Sequence, residues 1–178
     1  MYINKEIVSE VLTNLISEPE FYSHRDQLSL VNIPAELIVA VAKELRDNTA
    51  TRFNQLIDVT AVDWLKNRAA RFDVVYFLYS IDYKWRLRLK VPLAEKKPHV
   101  ESVTSIWDSA NWYEREAYDM YGIIFNNHPD LRRFYMPEDY VDPETDEPIY
   151  PLRKDFPLMG IPESMPLPPF PEKYGEIQ

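Results

Sequence analysis

The chain has 178 residues, a length that suits one domain with a core of ordinary size. It contains no cysteine, which excludes disulfides, thiolate zinc sites, cysteine nucleophiles and iron–sulfur clusters held by thiolates of its own. Its formal charge of −9 arises entirely after residue 90, where 17 acidic residues face 8 basic ones, whereas residues 1–90 carry 12 of each; such a balance argues against nucleic-acid binding and gives no reason to seek anionic lipid.

No apolar run approaches the roughly 20 residues needed to cross a bilayer, and MYINKEIVSEV lacks the basic and apolar regions of a signal peptide. A soluble chain, at most peripheral to a membrane, is expected. Ile3, Ile7, Val8, Val11, Leu12, Leu15 and Ile16 recur at helical spacing and predict an amphipathic helix over residues 3–16. Tyr22 to Gln27 is polar enough for a loop. Leu28 to Ile33 reads as a short strand, and Pro34 then opens a helix over 35–46 whose apolar positions are Leu37, Ile38, Val41, Ala42 and Leu45.

Phe53 to Asp63 reads as a strand with Leu56, Ile57, Val59 and Val62 as its apolar residues. Phe72 to Tyr79 and Trp85 to Val91 form an expected antiparallel hairpin; in its second strand Trp85, Leu87, Leu89 and Val91 alternate with Arg86, Arg88 and Lys90, so one face is buried and the other meets solvent or a partner. Lys96 to His99 is taken as a loop. From about Thr104 the period returns to helical, with Ile106, Ala110, Tyr113, Ala117, Met120 and Tyr121 inward, Asp108, Arg115, Glu116 and Asp119 outward, and Glu114 on the border. Gly122 is placed to end this helix in a left-handed turn. Eleven of the 15 prolines lie from Pro129 onward, so an extended, proline-rich arm follows. The expected fold is α+β: a small mixed or antiparallel sheet with packed helices over residues 1–135, then the C-terminal arm over 136–178.

The chemistry concentrates between Trp112 and Tyr140. Glu114, Glu116, Asp119 and His128 could serve acid/base or metal chemistry, but Glu114 and Glu116 point to different sides of a helix, which suits no metal pair. A structural role is the alternative, with Arg115 and Asp119 as an exposed i,i+4 pair contributing about 0.3–0.5 kcal/mol. A third is an interface, in which arginine and aromatic anchors dominate binding. His128, confined to extended backbone by Pro129, suits a hydrogen-bonding strut. Arg132 and Arg133 could find partners within the chain or across an interface, and Pro151 to Pro157 repeats the theme, with Leu152 and Phe156 as apolar anchors around Arg153, Lys154 and Asp155. The apolar residues beyond, Met159, Ile161, Met165, Leu167, Phe170 and Tyr174, make most sense laid on another protein.

The ordered series Glu114-Arg115-Glu116, Asp119-Met120, Gly122, His128 to Arg133, Pro137-Glu138-Asp139 and Pro151-Leu-Arg-Lys-Asp155 closely resembles the C-type subunit, also called the thirty-kilodalton subunit, of respiratory complex I and its NDH-1 relatives. The earlier Phe53, Leu56, Asp58, Val59 and Asp63 fit the same pattern. Two departures are Phe134, at a usually aliphatic position, and the acidic insertion VDPETDEPIY over 141–150. The resemblance implies a cofactor-free, non-catalytic subunit of a proton-pumping NADH (or ferredoxin):quinone oxidoreductase, active only as part of the whole translocase. Its implied partners are the D-type subunit, the forty-nine-kilodalton class, which it would pack against to brace the quinone-reducing module, and neighbouring iron–sulfur subunits. The clusters, the flavin of an NADH-linked form and the quinone would lie in those partners. Membrane contact would come through the complex, at the cytoplasmic face of a bacterial inner membrane. The homologous subunit of a membrane-bound energy-converting hydrogenase is the alternative, and a free-standing hydrolase using Glu114, Glu116 and His128 a third. Arg132 and Arg153, in extended segments, are expected to serve assembly more than the chain's own stability.

Overall fold

The computed structural model describes residues 3–24, 27–65 and 67–157. The predicted course of the arm over 158–178 lies outside the described residues. Helix α1 spans Lys5–Leu12, started by Asn4, whose side chain accepts a hydrogen bond from the Glu6 amide. It ends earlier than the apolar pattern suggests: the Thr13 amide bonds the Glu10 carbonyl three residues back, tightening the last turn, while its hydroxyl donates to the Ser9 carbonyl at 2.8 Å. Leu15 and Ile16 close a final turn on the Leu12 carbonyl.

Strands β1 (Glu20–His24) and β2 (Gln27–Val31) form an antiparallel hairpin where a loop is expected before β2. An edge strand needs pairing on one side only, and β1 is mostly exposed, so its polar sequence carries no alternation to read. A 3-10 turn over Ala35–Leu37 leads into α2 (Ile38–Asp47), which buries Ile38, Val41, Ala42 and Leu45.

The sheet is completed by β3 (Gln55–Asp63), β4 (Phe72–Ser80) and β5 (Trp85–Leu93), in the order β1-β2-β5-β4-β3. Only β2 and β5 run parallel; the β4–β5 hairpin is antiparallel, as expected from the sequence. Val74, Tyr76, Leu78, Leu87, Leu89 and Val91 join the helices' apolar residues in one core. A register shift between Leu56 and Asp58 re-aims β3, so its buried apolar residues are Leu56, Val59 and Ala61, while the expected Ile57 and Val62 are exposed.

Short strands β6 (His99–Glu101) and β7 (Ile124–Asn126) pair in parallel and flank helix α3 (Ala110–Tyr121). Three residues are too few for a period, so both escape sequence reading. Residues 104–109 are turns rather than the helix's first turn. Gly122 ends α3 at φ 73°, as its position predicts. No helix among the described residues is long and apolar enough to cross a membrane.

Candidate functional site

Helix α3 contacts β3 along the sheet edge, and three of its charged side chains are buried: Glu114, Arg115 and Asp119. This corrects the outward placement of Arg115 and Asp119. They share a face, as their spacing requires, but they do not pair with each other. Arg115 donates from Nε to the Arg132 carbonyl (3.1 Å) and from Nη2 to the Arg133 carbonyl (3.3 Å). One turn later Asp119 accepts through a single oxygen from the amides of Phe134, Tyr135 and Met136 at 3.2, 2.8 and 3.0 Å. The helix therefore offers a donor and an acceptor at i,i+4, and the loop 132–136 lays its carbonyls on one and its amides on the other.

The loop sorts its two arginines. Arg132 points out and pairs with Asp130 at 2.9 Å, both side chains more than half exposed. Arg133 turns in, donating to the Ile149 carbonyl and standing 3.6 Å from the second oxygen of Asp119. His128 is a strut at the start of α3: its Nδ1 accepts from the Asp130 amide, which leaves the proton on Nε2 to donate to the Asn111 carbonyl at 3.1 Å. Burial, only partly countered by that carbonyl, lowers its pKa.

Glu114 is fully buried and accepts from Ser102 Oγ (2.6 Å) and the Val103 amide (2.8 Å); burial raises its pKa to about 7 in spite of both bonds. Glu116 sits instead near Asp58 of β3, with burial first and the neighbouring carboxylate second in raising its pKa. Glu114, Glu116 and His128 thus engage three different partners and do not converge on one substrate position. Among the described residues no group of three His, Asp or Glu side chains is placed to hold a metal ion.

The Pro151 to Pro157 segment closes over the C-terminal end of α3. The Leu152 amide donates to the Met120 carbonyl and Arg153 Nε to the Tyr121 carbonyl at 2.7 Å, filling acceptors that a helix end leaves open. Arg153 also lies over the rings of Tyr150 (4.3 Å) and Phe72 (5.3 Å), and burial together with Arg71 lowers its pKa. Arg153 thus has partners within its own chain, where the extended segment alone suggested a role in assembly. Lys154 donates its amide to Asp63 and Asp155 pairs with Arg71, so both meet the sheet end. The Leu152 side chain is 51% exposed, whereas Phe156 is half-buried. The acidic insertion folds into a small loop, bridged at Val141 and Pro148 and anchored by the buried Tyr140 and Ile149.

What remains outward on this side is aromatic. Trp112 (58% exposed) and Tyr135 (60%) flank Phe134, with Trp112 edge-on to Phe134 at 5.5 Å and Phe134 against Tyr135 at 4.1 Å. The Arg115 guanidinium is held between Trp112 and Phe134, 4.7 and 5.1 Å from the ring centres.

The model of the family described as the 30 kDa subunit of respiratory-chain NADH dehydrogenase matches residues 31–162, a span that contains every element of this site. The chain belongs to this family. It is 47% identical over 141 residues to the C subunit of NADH-quinone oxidoreductase from Geotalea uraniireducens, covering 79% of either chain, and 50% identical over 130 residues to the protein of that name from Citrifermentans bemidjiense, covering 73% of this chain and 74% of that one. Among solved structures, a trypsin-resistant fragment of Nqo5 is 32% identical at a TM-score of 0.59, covering 71% of this chain and 98% of the fragment. A chain of the membrane-bound sulfane sulfur reductase, an archaeal respiratory membrane complex, is 27% identical at a TM-score of 0.67, covering 87% of this chain and 86% of that one.

One residue of the site has no pattern in the sequence to announce it. Arg71 is 5% exposed at the entry to β4 and binds Asp63 with two nitrogens (3.1 and 2.9 Å), Glu95 (2.6 Å) and Asp155 (2.8 Å). Asp63 foremost holds the Arg71 pKa above its ordinary value. Burial pushes the Asp63 carboxyl up, but Arg71 and the amides of Lys154 and Leu65 outweigh it and the net shift is downward.

Proposed function

We propose that the chain is a cofactor-free peripheral-arm subunit of an NADH-quinone oxidoreductase, docking on the D-type subunit and bracing the quinone-reducing module without catalysis of its own. The observation that carries this is the outward ladder of Trp112, Phe134 and Tyr135 around Arg115. Rigid aromatic rings with a locked guanidinium are the residue types that anchor protein interfaces, and here the anchor stands apart from the core. Groups that could suggest catalysis are engaged within the chain instead: Asp119 by three amides, Glu114 by the Ser102 hydroxyl and the Val103 amide, His128 by the Asn111 carbonyl and the Asp130 amide. The iron–sulfur clusters, flavin and quinone belong to partner subunits on this reading, at the cytoplasmic face of an energy-transducing membrane. The 27% likeness to a chain of another respiratory membrane complex favours the same scaffold role there, while the 45–50% identity to C-subunit relatives favours the quinone-linked assembly here over a hydrogenase.

Trp112→Ala combined with Tyr135→Ala tests it. Both side chains are exposed, so the melting temperature of the full chain should stay nearly constant, within about 0.5 kcal/mol of stability. Recovery of the D-type subunit in a pull-down should fall about 30-fold, the loss expected of an interface hot spot. Undiminished recovery, or equal loss in both measurements, sinks the docking role.

A further inference from the structure

The face of the five-stranded sheet turned away from the helices carries a stripe unlike the rest of this acidic molecule. On β5, Arg86, Arg88 and Lys90 alternate with the buried Leu87, Leu89 and Val91. Strand register sets Tyr79 beside Arg86, Phe77 beside Arg88 and Val75 beside Lys90. The guanidinium groups lie over their neighbours' rings, Arg86 over Tyr79 at 5.4 Å and Arg88 over Phe77 at 5.0 Å. Val75 is only 3% exposed although it stands outside the core cluster, and Tyr22 and Val62 are exposed on the same face. Beyond Lys90 the stripe runs into a groove of about 200 Å³ between Tyr22, Val31, Asn32, Arg68, Asp73 and Lys90.

Arg46, Arg52, Arg68, Arg71, Arg132 and Arg133 each pair with a carboxylate, whereas Arg86, Arg88 and Lys90 pair with none among the described residues. Among the described residues Arg88 donates to the neutral Gln27 side chain alone. We propose that this face is a second docking surface, and that its occupant is an acidic, extended segment of a neighbouring protein subunit. Alternate residues of a strand repeat at about 6.6–6.8 Å, so an extended partner with Asp or Glu at every second position meets all three cations at once. Aromatic rings under the guanidinium groups supply the apolar contact such a segment needs between its charges. A polyanion such as a nucleic acid or an anionic bilayer fits worse, because the whole chain carries −9 and would be repelled beyond these three charges. This surface is separate from the aromatic ladder on α3 and does not depend on it.

Zero-length carbodiimide coupling of the intact complex, mapped by mass spectrometry, reads the contact directly through the Lys90 amine. The expected result is an amide between Lys90 and an Asp or Glu within one acidic segment of another subunit. Arg86→Glu with Lys90→Glu should lower incorporation of the full chain into the complex about tenfold. Lys96→Glu with Lys97→Glu, on an exposed loop, should leave incorporation unchanged, and so should the reversal leave the melting temperature of the chain. If the reversal does lower melting, Arg86→Gln with Lys90→Gln replaces it, with a smaller loss relative to wild type that shrinks as salt screens the wild-type contact. Coupling of Lys90 to a second copy of this chain, to its own carboxylates or to nothing overturns the proposal. So does wild-type incorporation of the reversed chain, or a loss confined to binding of vesicles containing anionic lipid.

Discussion

Three carboxylates on one helix meet three fates, and neighbours rather than residue type decide which. Asp119 finds three amides and a nearby guanidinium, Glu116 another acid, and Glu114 a hydroxyl and one amide in a site with no exposure. Glu114 has no cation among its partners and no exposure, and burial holds its carboxyl at about 7 against an ordinary 4.5. A carboxyl raised by folding binds its proton more tightly in the native chain. Its contribution to stability is therefore whole below about 4.5 and is lost as pH rises through about 7. The interval corresponds to roughly 3 kcal/mol. Glu114→Gln keeps an acceptor oxygen for the Val103 amide, turns an NH2 donor toward the Ser102 hydroxyl, and removes the titration. In urea unfolding from pH 4 to 8, the difference between variant and wild type should be flat below about pH 4.5 and move by up to roughly 3 kcal/mol in favour of the variant by pH 8. A difference that is constant across that range would mean the carboxyl does not titrate there.

At the scale of elements, α3 and the arm are built for each other at Gly122. The left-handed turn there could be made by asparagine, but the space could not: a Cβ would lie 2.6 Å from Arg153 Nη2 and 2.6 Å from the Tyr150 ring. Gly122→Ala should therefore cost about 1–2 kcal/mol through the backbone alone and also lift the arm from the helix end. Trypsin cleavage after Arg153 and Lys154 should accelerate well beyond what global destabilisation explains. An arm cut at the wild-type rate would show that Arg153 and Tyr150 adjust without leaving. The glycine was legible because one residue with one conformational requirement follows a helical period. So were α2, the β4–β5 hairpin and the alternation of β5, where period and burial agree. The inward turn of Arg115 and Asp119 was not, since a helical wheel sees side chains and their partners here are peptide groups of a loop about 17 residues on. Edge strand β1 and the three-residue β6 failed for a simpler reason: too little of either is buried to leave a pattern.

The molecule as a whole is tied together by one residue that the sequence does not mark. Arg71 gathers the end of β3 through Asp63, the loop after β5 through Glu95, and the arm through Asp155, and Asp63 in turn takes the Lys154 amide. A lone arginine before a strand has no period or motif to announce it, and its partner Asp155 lies in the arm, beyond every strand and helix of the sheet domain. The strengths of these links differ with exposure. Arg71 and Asp63 are both buried and bidentate, whereas Asp155 is 50% exposed and Glu95 63%. Losing Arg71 leaves Asp63 a buried carboxylate without its cation, a change that costs about 3–5 kcal/mol, while Asp155→Ala removes a half-solvated contact worth about 1 kcal/mol or less. Arg71→Ala should accordingly lower global stability and free the arm together, and Asp155→Ala should free the arm while the melting temperature barely moves. Arg71→Lys should rescue neither fully, because an ammonium cannot hold Asp63 with two nitrogens and reach Glu95 and Asp155 as well. Urea unfolding for stability and trypsin cleavage after Lys154 for the arm separate the two effects. If Asp155→Ala destabilises the chain as much as Arg71→Ala, the arm is part of the cooperative core and not a latch laid upon it.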